Sequence, residues 1–172
     1  QGLDFAEVVA DAVTLVRRHP DAECDVEVTC RGLGQPLGIT GDTDLLHRAV
    51  FNLVLNAIQF SAPDGRVEVL LDEAPVAELP HGVSRAQRVR LRVRDTGPGV
   101  APDEAGRIFD PFYTTRRGGS GMGLAVVHRA LENHEGAVLV DRSPGGGAEF
   151  TLYLPGPDAR VTASFAPATA RS

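Results

Sequence analysis

The sequence predicts an α/β fold, a two-layer sandwich in which a mixed, mostly antiparallel sheet packs on three helices. Three observations predict it. Helical apolar spacing recurs in three separate stretches, near residues 3–18, 42–61 and 122–134. Arg88, Arg90, Arg92 and Arg94 alternate with Val89, Leu91 and Val93, the period-2 pattern of a strand with one wet face. A sheet polar on one side needs a helical layer only on the other, which is the two-layer solution.

Taken in order, Phe5, Val8, Val9, Ala12, Val13 and Val16 form the first apolar stripe, and Pro20 stops that helix. Strand-like stretches follow near 24–30 and 36–40. Asp42 has the chemistry of an N-cap for a helix running to about Ser61. Pro63-Asp64-Gly65 turns the chain into the strand Arg66–Leu71, and a loop from about 73 to 87 carries Pro75, Pro80 and Gly82. Asp95 shares the parity of Val89, Leu91 and Val93, so a strand that keeps its register points this carboxylate at the apolar side. Residues 97–122 are glycine-rich without sustained periodicity. A helix over Met122–His134 and strands near 137–141 and 148–154 complete the fold, the strands meeting across Ser143-Pro144-Gly145-Gly146-Gly147. The tail from 156 to 172, rich in Pro, Ala, Thr and Ser, is expected to be disordered.

The bulk properties exclude several classes. At 172 residues, the chain can bury one core. Its 42% hydrophobic content and mean hydropathy of -0.07 belong to a globular protein, and no apolar run reaches the roughly 18 residues of a membrane span. A net charge of -6 argues against a nucleic-acid surface. No signal peptide is visible. The chain starts at Gln1 and is read as a cytoplasmic piece of a longer protein, whose remainder could carry a membrane anchor. Cys24 and Cys30 in one extended segment would stand about 20 Å apart at roughly 3.3 Å per residue. That is beyond disulfide reach, and they are expected as free thiols.

Four groups of residues carry chemistry. On the helix near 44–61, Leu46, Val50, Leu53 and Ala57 form an apolar stripe, while Arg48, Asn52, Asn56 and Gln59 form a polar one. Asparagine is a mediocre helix former. Two of them one turn apart are either a solvated face or amide oxygens held towards a hard cation such as Mg²⁺. In Asp95-Thr96-Gly97-Pro98-Gly99, an inward carboxylate needs a donor. An adenine amino group is one, with Gly97 and Gly99 letting a flat base approach; an ordinary turn after a strand is the other reading. Phe109, Phe112 and Tyr113, followed by Thr114, Thr115 and Arg116, would anchor a lid whose hydroxyls and guanidinium face a phosphate, or else form a small satellite core. Gly119-Ser120-Gly121-Met122-Gly123, just where a helix begins, either presents backbone N–H groups suited to an anion or is a flexible linker.

In this order, the motifs resemble the catalytic ATP-binding domain of bacterial sensor histidine kinases, within the gyrase, chaperone, kinase and mismatch-repair (GHKL) ATPase superfamily. The resemblance runs from about Leu3 to Pro155 through the boxes Asn52-Leu53-Val54-Leu55-Asn56-Ala57, Asp95–Gly99, Phe109-Asp110-Pro111-Phe112-Tyr113-Thr114-Thr115 and Gly119–Leu124. The last two boxes are worded most like the nitrogen-regulation branch. It implies the Bergerat-type ATP-binding fold over residues 1–155, ATP and Mg²⁺ as ligands, Asn56 as the metal ligand and Asn52 beside it at the phosphates. It implies Asp95 on the adenine amino group, Gly97 and Gly99 shaping the base pocket, and Thr114, Thr115, Arg116, Gly119, Gly121, Gly123 and Leu124 around the phosphates and lid, with Arg116 at the γ-phosphate.

The hydrolysing branches of the superfamily carry a glutamate where this chain has Asn52, and asparagine is no general base near neutral pH. The resemblance therefore implies transfer of the γ-phosphoryl group to a histidine on a separate dimerisation domain, absent from the chain, and onward to a response regulator. The fragment would be monomeric and its parent homodimeric. The alternatives are a non-catalytic nucleotide-binding signalling module, a serine kinase of the anti-sigma type, or a hydrolysing ATPase. The departures are Gln59, where many relatives have a lysine, and Ala148, where a hydroxyl often orders water beside the base. None of His19, His47, His81, His128 or His134 lies in a phosphoacceptor context. The lid is expected to be loose without nucleotide.

Overall fold

Asp42 starts the helix around which the rest of the molecule is arranged. Its Oδ1 accepts a hydrogen bond from Leu45 N at 3.1 Å, the N-cap geometry its side chain favours, and helix α2 runs Thr43–Ser61. In the computed structural model, residues 2–19, 26–61, 64–99, 123–144 and 146–156 are described. Helix α1 (Phe5–Arg17) packs on one side of α2 and α3 (Gly123–Asn133) on the other. Each turns its apolar stripe inward: Phe5, Val9 and Val16 from α1, Leu46, Val50 and Leu53 from α2, and Val127 and Leu131 from α3 are buried.

Beneath them lies a five-stranded sheet of β2 (Glu27–Arg31), β4 (Arg66–Glu73), β5 (Val89–Asp95), β6 (Ala137–Arg142) and β7 (Ala148–Leu154), in the order β2-β4-β5-β7-β6. Only β2 and β4 run parallel; the other neighbours are antiparallel. The expected two-layer sandwich of a mixed, mostly antiparallel sheet on three helices is what forms. Val67, Val69, Leu91, Val93, Phe150 and Leu152 supply the sheet's side of the core.

Two features depart from the sequence reading. Residues 2–4 do not open the first helix. Gly2–Asp4 is a short strand, β1, paired antiparallel with β3 (Gly38–Thr40) as a separate two-stranded sheet. Asp4 closes that strand and caps α1, its Oδ1 accepting from Ala6 N at 3.0 Å and from Leu37 N at 2.9 Å. A cap serving two elements 33 residues apart has no local periodicity to announce it.

The second departure is the outer sheet face, which is drier than the alternation predicts. Arg90 is only 6% exposed, and Thr151 and Tyr153 on the same face are buried. The loop after β4 contains a single 3-10 turn, Val76–Glu78, that contributes to this face. Arg90 donates to Asp72 Oδ1 at 2.9 Å and Oδ2 at 2.6 Å, and to Glu78 Oε1 at 3.3 Å. Arg92 also reaches Asp72 Oδ2, at 3.4 Å, and Arg94 pairs with Glu149. Bidentate pairing is what lets the Arg90 guanidinium leave water.

Burial works to raise the Asp72 pKa, but the Arg90 hydrogen bonds and charge, helped by Arg92, outweigh it and hold the carboxyl below its ordinary value. A lowered folded-state pKa contributes stability that is present above the unfolded value, roughly 3.9, and is lost as pH falls through the folded one. Asp72→Asn is therefore expected to cost about 2 kcal/mol near neutral pH, the scale of a hydrogen bond to a charged group. The difference from the parent should shrink as pH falls below the unfolded value and through the lower folded one, where the parent carboxyl is protonated. Urea denaturation across that pH range checks it; a difference independent of pH would show that the carboxylate charge is not what matters.

Helices α2 and α3 are also tied at the far end of the molecule. His134 Nδ1 donates to Ala130 O at 2.7 Å, and its Nε2 accepts from Asp42 N at 2.9 Å. Both ring nitrogens are engaged, the tautomer following from the two partners. His134 thus clasps the end of α3 to the start of α2. The thiol of Cys30 is free, and burial pushes its pKa up. Cys24, residues 100–122 and the tail beyond 156 lie outside the described residues. Among those described, no helix is long and apolar enough to cross a membrane.

Candidate functional site

Asp95 ends β5 on the side facing the helices and is 2% exposed. A carboxylate so placed is costly unless donors meet it. Two do, and both use one oxygen: Oδ1 accepts from Gly97 N at 3.0 Å and from Ala148 N at 3.1 Å. Oδ2 takes no hydrogen bond from the described residues. Burial pushes the Asp95 carboxyl above its ordinary range, and the two backbone bonds pull the other way.

Two glycines bring backbone close to backbone around Asp95. A Cβ on Gly147 would stand 2.0 Å from Asp95 O, and one on Gly97 would stand 2.5 Å from Phe60 O. The end of β5, the last turn of α2 and the hairpin between β6 and β7 therefore meet backbone to backbone, as only glycine permits. Gly99 follows at φ +78°.

Asn52 and Asn56 sit one turn apart on α2, both half-buried. Neither amide has a hydrogen-bond partner among the described residues. Partly exposed, the two amides are open to water or to a ligand. No cluster of three or more His, Cys, Asp or Glu side chains able to hold a metal occurs among the described residues. A cation here would have to share neutral oxygen ligands with a substrate. A shallow concavity of about 410 Å³ lies on the opposite, outer sheet face, bounded by Arg31, Glu68, Asp72, Arg92 and Arg94. It contains neither Asp95 nor the two asparagines and is occupied with the ion pairs of that face.

The family model for histidine kinase-, DNA gyrase B- and HSP90-like ATPases matches residues 41–158. The chain belongs to this ATPase family. Among curated relatives, it is 34% identical over 156 residues to the sensor histidine kinase ZraS of Escherichia coli O157:H7, covering 90% of this chain and 31% of that one. It is 37% identical over 174 residues to the histidine-protein kinase/phosphatase MprB of Mycolicibacterium smegmatis, covering 94% and 32%. The chain thus spans about a third of the length of these relatives. Of solved structures, the mycobacterial sensor histidine kinase MprB superposes with a TM-score of 0.73 at 31% identity, over 91% of this chain and 99% of that one. Full-length ShkA, solved in complex with AMPPNP, superposes with a TM-score of 0.67 at 29% identity, over 91% and 31%.

Within the ATPase family frame, the structure brings Asp95, Gly97 and Gly99 together at the end of β5 and sets Asn52 and Asn56 on the adjoining helix. Gly123 begins α3, and Leu124, half-buried, packs against the core. Thr114, Thr115, Arg116, Gly119 and Gly121 lie outside the described residues. Sequence reasoning missed the Ala148 contact to Asp95. Ala148 drew notice for its missing hydroxyl, whereas its backbone N–H makes the contact, and no side-chain pattern signals a backbone donor 53 residues away.

Proposed function

We propose that residues 1–155 are the ATP-binding catalytic module of a protein histidine kinase in two-component signalling, with residues 156–172 lying beyond the module. The observation that carries this reading is the Asp95 carboxylate, buried at a strand end with one oxygen held by two backbone donors and the other taking no bond from the described residues. An adenine amino group donating to Oδ2 would complete the carboxylate's bonds, and Gly97 and Gly99 would let the base lie against backbone.

Asn56 and Asn52 fit a magnesium–nucleotide complex. Their amides are oxygen donors without a partner among the described residues, and Mg²⁺ usually keeps waters and substrate phosphates in its shell rather than taking an all-protein cage. When bound, the ion would neutralise charge on the phosphoryl group during transfer. Asn56 would be its protein ligand and Asn52 a neighbour on the phosphate side. Thr114, Thr115 and Arg116 would close over the phosphates, with Gly119, Gly121 and Gly123 presenting N–H groups to them.

Asn52 also selects the reaction. An amide cannot take a proton from water, so the γ-phosphoryl group would wait for an imidazole nitrogen of a separate dimerisation domain. That nitrogen forms the new P–N bond as the bond to ADP breaks; the product then serves a response-regulator aspartate. The module would act in the cytoplasm, monomeric alone and dimeric within its parent.

Calorimetric titration of ATP with and without Mg²⁺, followed by incubation with the dimerisation domain and γ-labelled ATP, tests the proposal. Saturable binding strengthened by Mg²⁺ and acid-labile label on that domain are expected. Absence of ATP binding would overturn the reading, and label released mainly as inorganic phosphate would turn it into a hydrolase.

A further inference from the structure

Two hydroxyls and the backbone groups of Arg66 and Thr96 close a ring of hydrogen bonds where α2, β4 and β5 converge. Ser61, the last residue of α2, is 5% exposed. Its Oγ donates to Arg66 O at 3.3 Å and accepts from Thr96 N at 3.1 Å, while Arg66 N donates to Thr96 Oγ1 at 3.0 Å. The antiparallel ladder between β4 and β5 ends at the pair Val67 and Asp95. At the next step, side-chain hydroxyls take over both backbone groups of Arg66, and Thr96 N turns away to the helix. Ser61 thus marks the point at which the chain leaves the sheet for the loop that follows Asp95.

The placement matters because α2 carries the other half of the site. At about 1.5 Å of rise per residue, Asn56 stands about 7.5 Å and Asn52 about 13.5 Å back along the helix from Ser61. One buried hydroxyl therefore indexes the base-binding carboxylate, one residue before Thr96, against the amides assigned to the cation and phosphates. A helix terminus left to fray would satisfy its last groups with water and leave this spacing unset.

We infer that Ser61 is a positioning residue for the nucleotide site: through Thr96 it sets the distance between Asp95 and the Asn52–Asn56 face, so that one ATP molecule can engage both at once. The inference rests on the ATP-binding reading above. Either half alone needs no such registration, whereas a ligand spanning both does, because rigid placement of its two ends is what converts two weak contacts into one strong one.

The test compares the parent with Ser61→Ala and Ser61→Thr at a temperature where urea titration shows each to be folded. AMP in EDTA, followed by NMR, reads the base half alone; calorimetry with Mg²⁺ and ATP reads both. For Ser61→Ala, AMP affinity is expected within about threefold of the parent and Mg²⁺-ATP affinity at least about tenfold weaker. Ser61→Thr, which keeps the hydroxyl, is expected to restore it. A role in stability alone would lower the denaturation midpoint and leave both affinities of the folded protein unchanged, which would overturn the inference, as would failure of Ser61→Thr to rescue. Should Ser61→Ala not fold, Ser61→Cys, whose sulfur is a much weaker partner for both Thr96 N and Arg66 O at a similar shape, takes its place. Selective loss of Mg²⁺-ATP affinity in that variant would support the positioning role, and unchanged affinities would overturn it. If the parent binds no ATP, the functional reading falls and this inference with it; if the parent binds and the variants match it, only the positioning role falls.

Discussion

Asp95→Asn is expected to weaken ATP binding by roughly 100- to 1000-fold while leaving the empty protein about as stable as before. The two halves of that expectation have separate physical origins. The variant's amide oxygen can still accept from Gly97 N and Ala148 N, the two bonds that hold Oδ1 in place. The other position becomes an NH₂ group, which meets an adenine amino group donor against donor. Losing a hydrogen bond to a charged acceptor and leaving a buried donor unpaired together cost about 3–4 kcal/mol, which corresponds to that loss of affinity. Stability is spared because burial already opposes the charge: the folded carboxyl titrates above its ordinary value. A raised folded-state pKa means that stability is lost as pH rises through it, a loss the neutral amide does not suffer. Calorimetric titration paired with urea denaturation reads both halves. ATP affinity within threefold of the parent would remove Asp95 from the base pocket.

Asn56→Ala should separate the metal from the base. In EDTA, the variant's affinity for ATP is expected to match the parent's, because the carboxylate end of the site is untouched. Added Mg²⁺ should no longer strengthen binding, and phosphoryl transfer to the dimerisation domain should fall by at least about 100-fold, the scale of lost electrostatic stabilisation of a transferring group. The empty variant should be slightly more stable, by about 0.5 kcal/mol. Alanine is the better helix former, and the Asn56 amide gives up no bond to the described residues. A residue kept against its own helix propensity is the mark of a functional position. If Asn56→Ala kept the full Mg²⁺ effect, the metal would have to be carried by other residues.

Much of this site was legible because its residues announce themselves through period and chemistry. The 3.6-residue period of α2 separated Leu46, Val50 and Leu53 from Asn52 and Asn56, and the structure buries the first set while the second remains half-buried. The two-residue period of β5 put Asp95 on the side of Val93, and it is buried there. The same alternation overstated how wet the other face is, since it records only which side a residue takes. Arg90 is buried because Asp72 and Glu78 reach it from β4 and the following turn. Nothing in the sequence signals that Ser61 and Thr96 pair, for they are ordinary residues at a helix end and a strand end until folding brings them together.

By itself, the sequence determined the kind and order of the main elements, though not the short strand Gly2–Asp4, together with the family resemblance carried by its four motifs and the side of each element that bears the chemistry. Those are properties of a few neighbouring residues, governed by helix and strand periods and by what asparagine, aspartate and glycine can do. The tertiary structure alone decided which partner each polar group meets. Asp95 depends on Ala148 N, Thr96 on Ser61, Asp4 on Leu37 N and Asp42 N on His134, pairings that reach across 33 to 92 residues. Hydrogen bonds are short and directional, so a partner is chosen only once packing and sheet register have brought distant segments within about 3 Å.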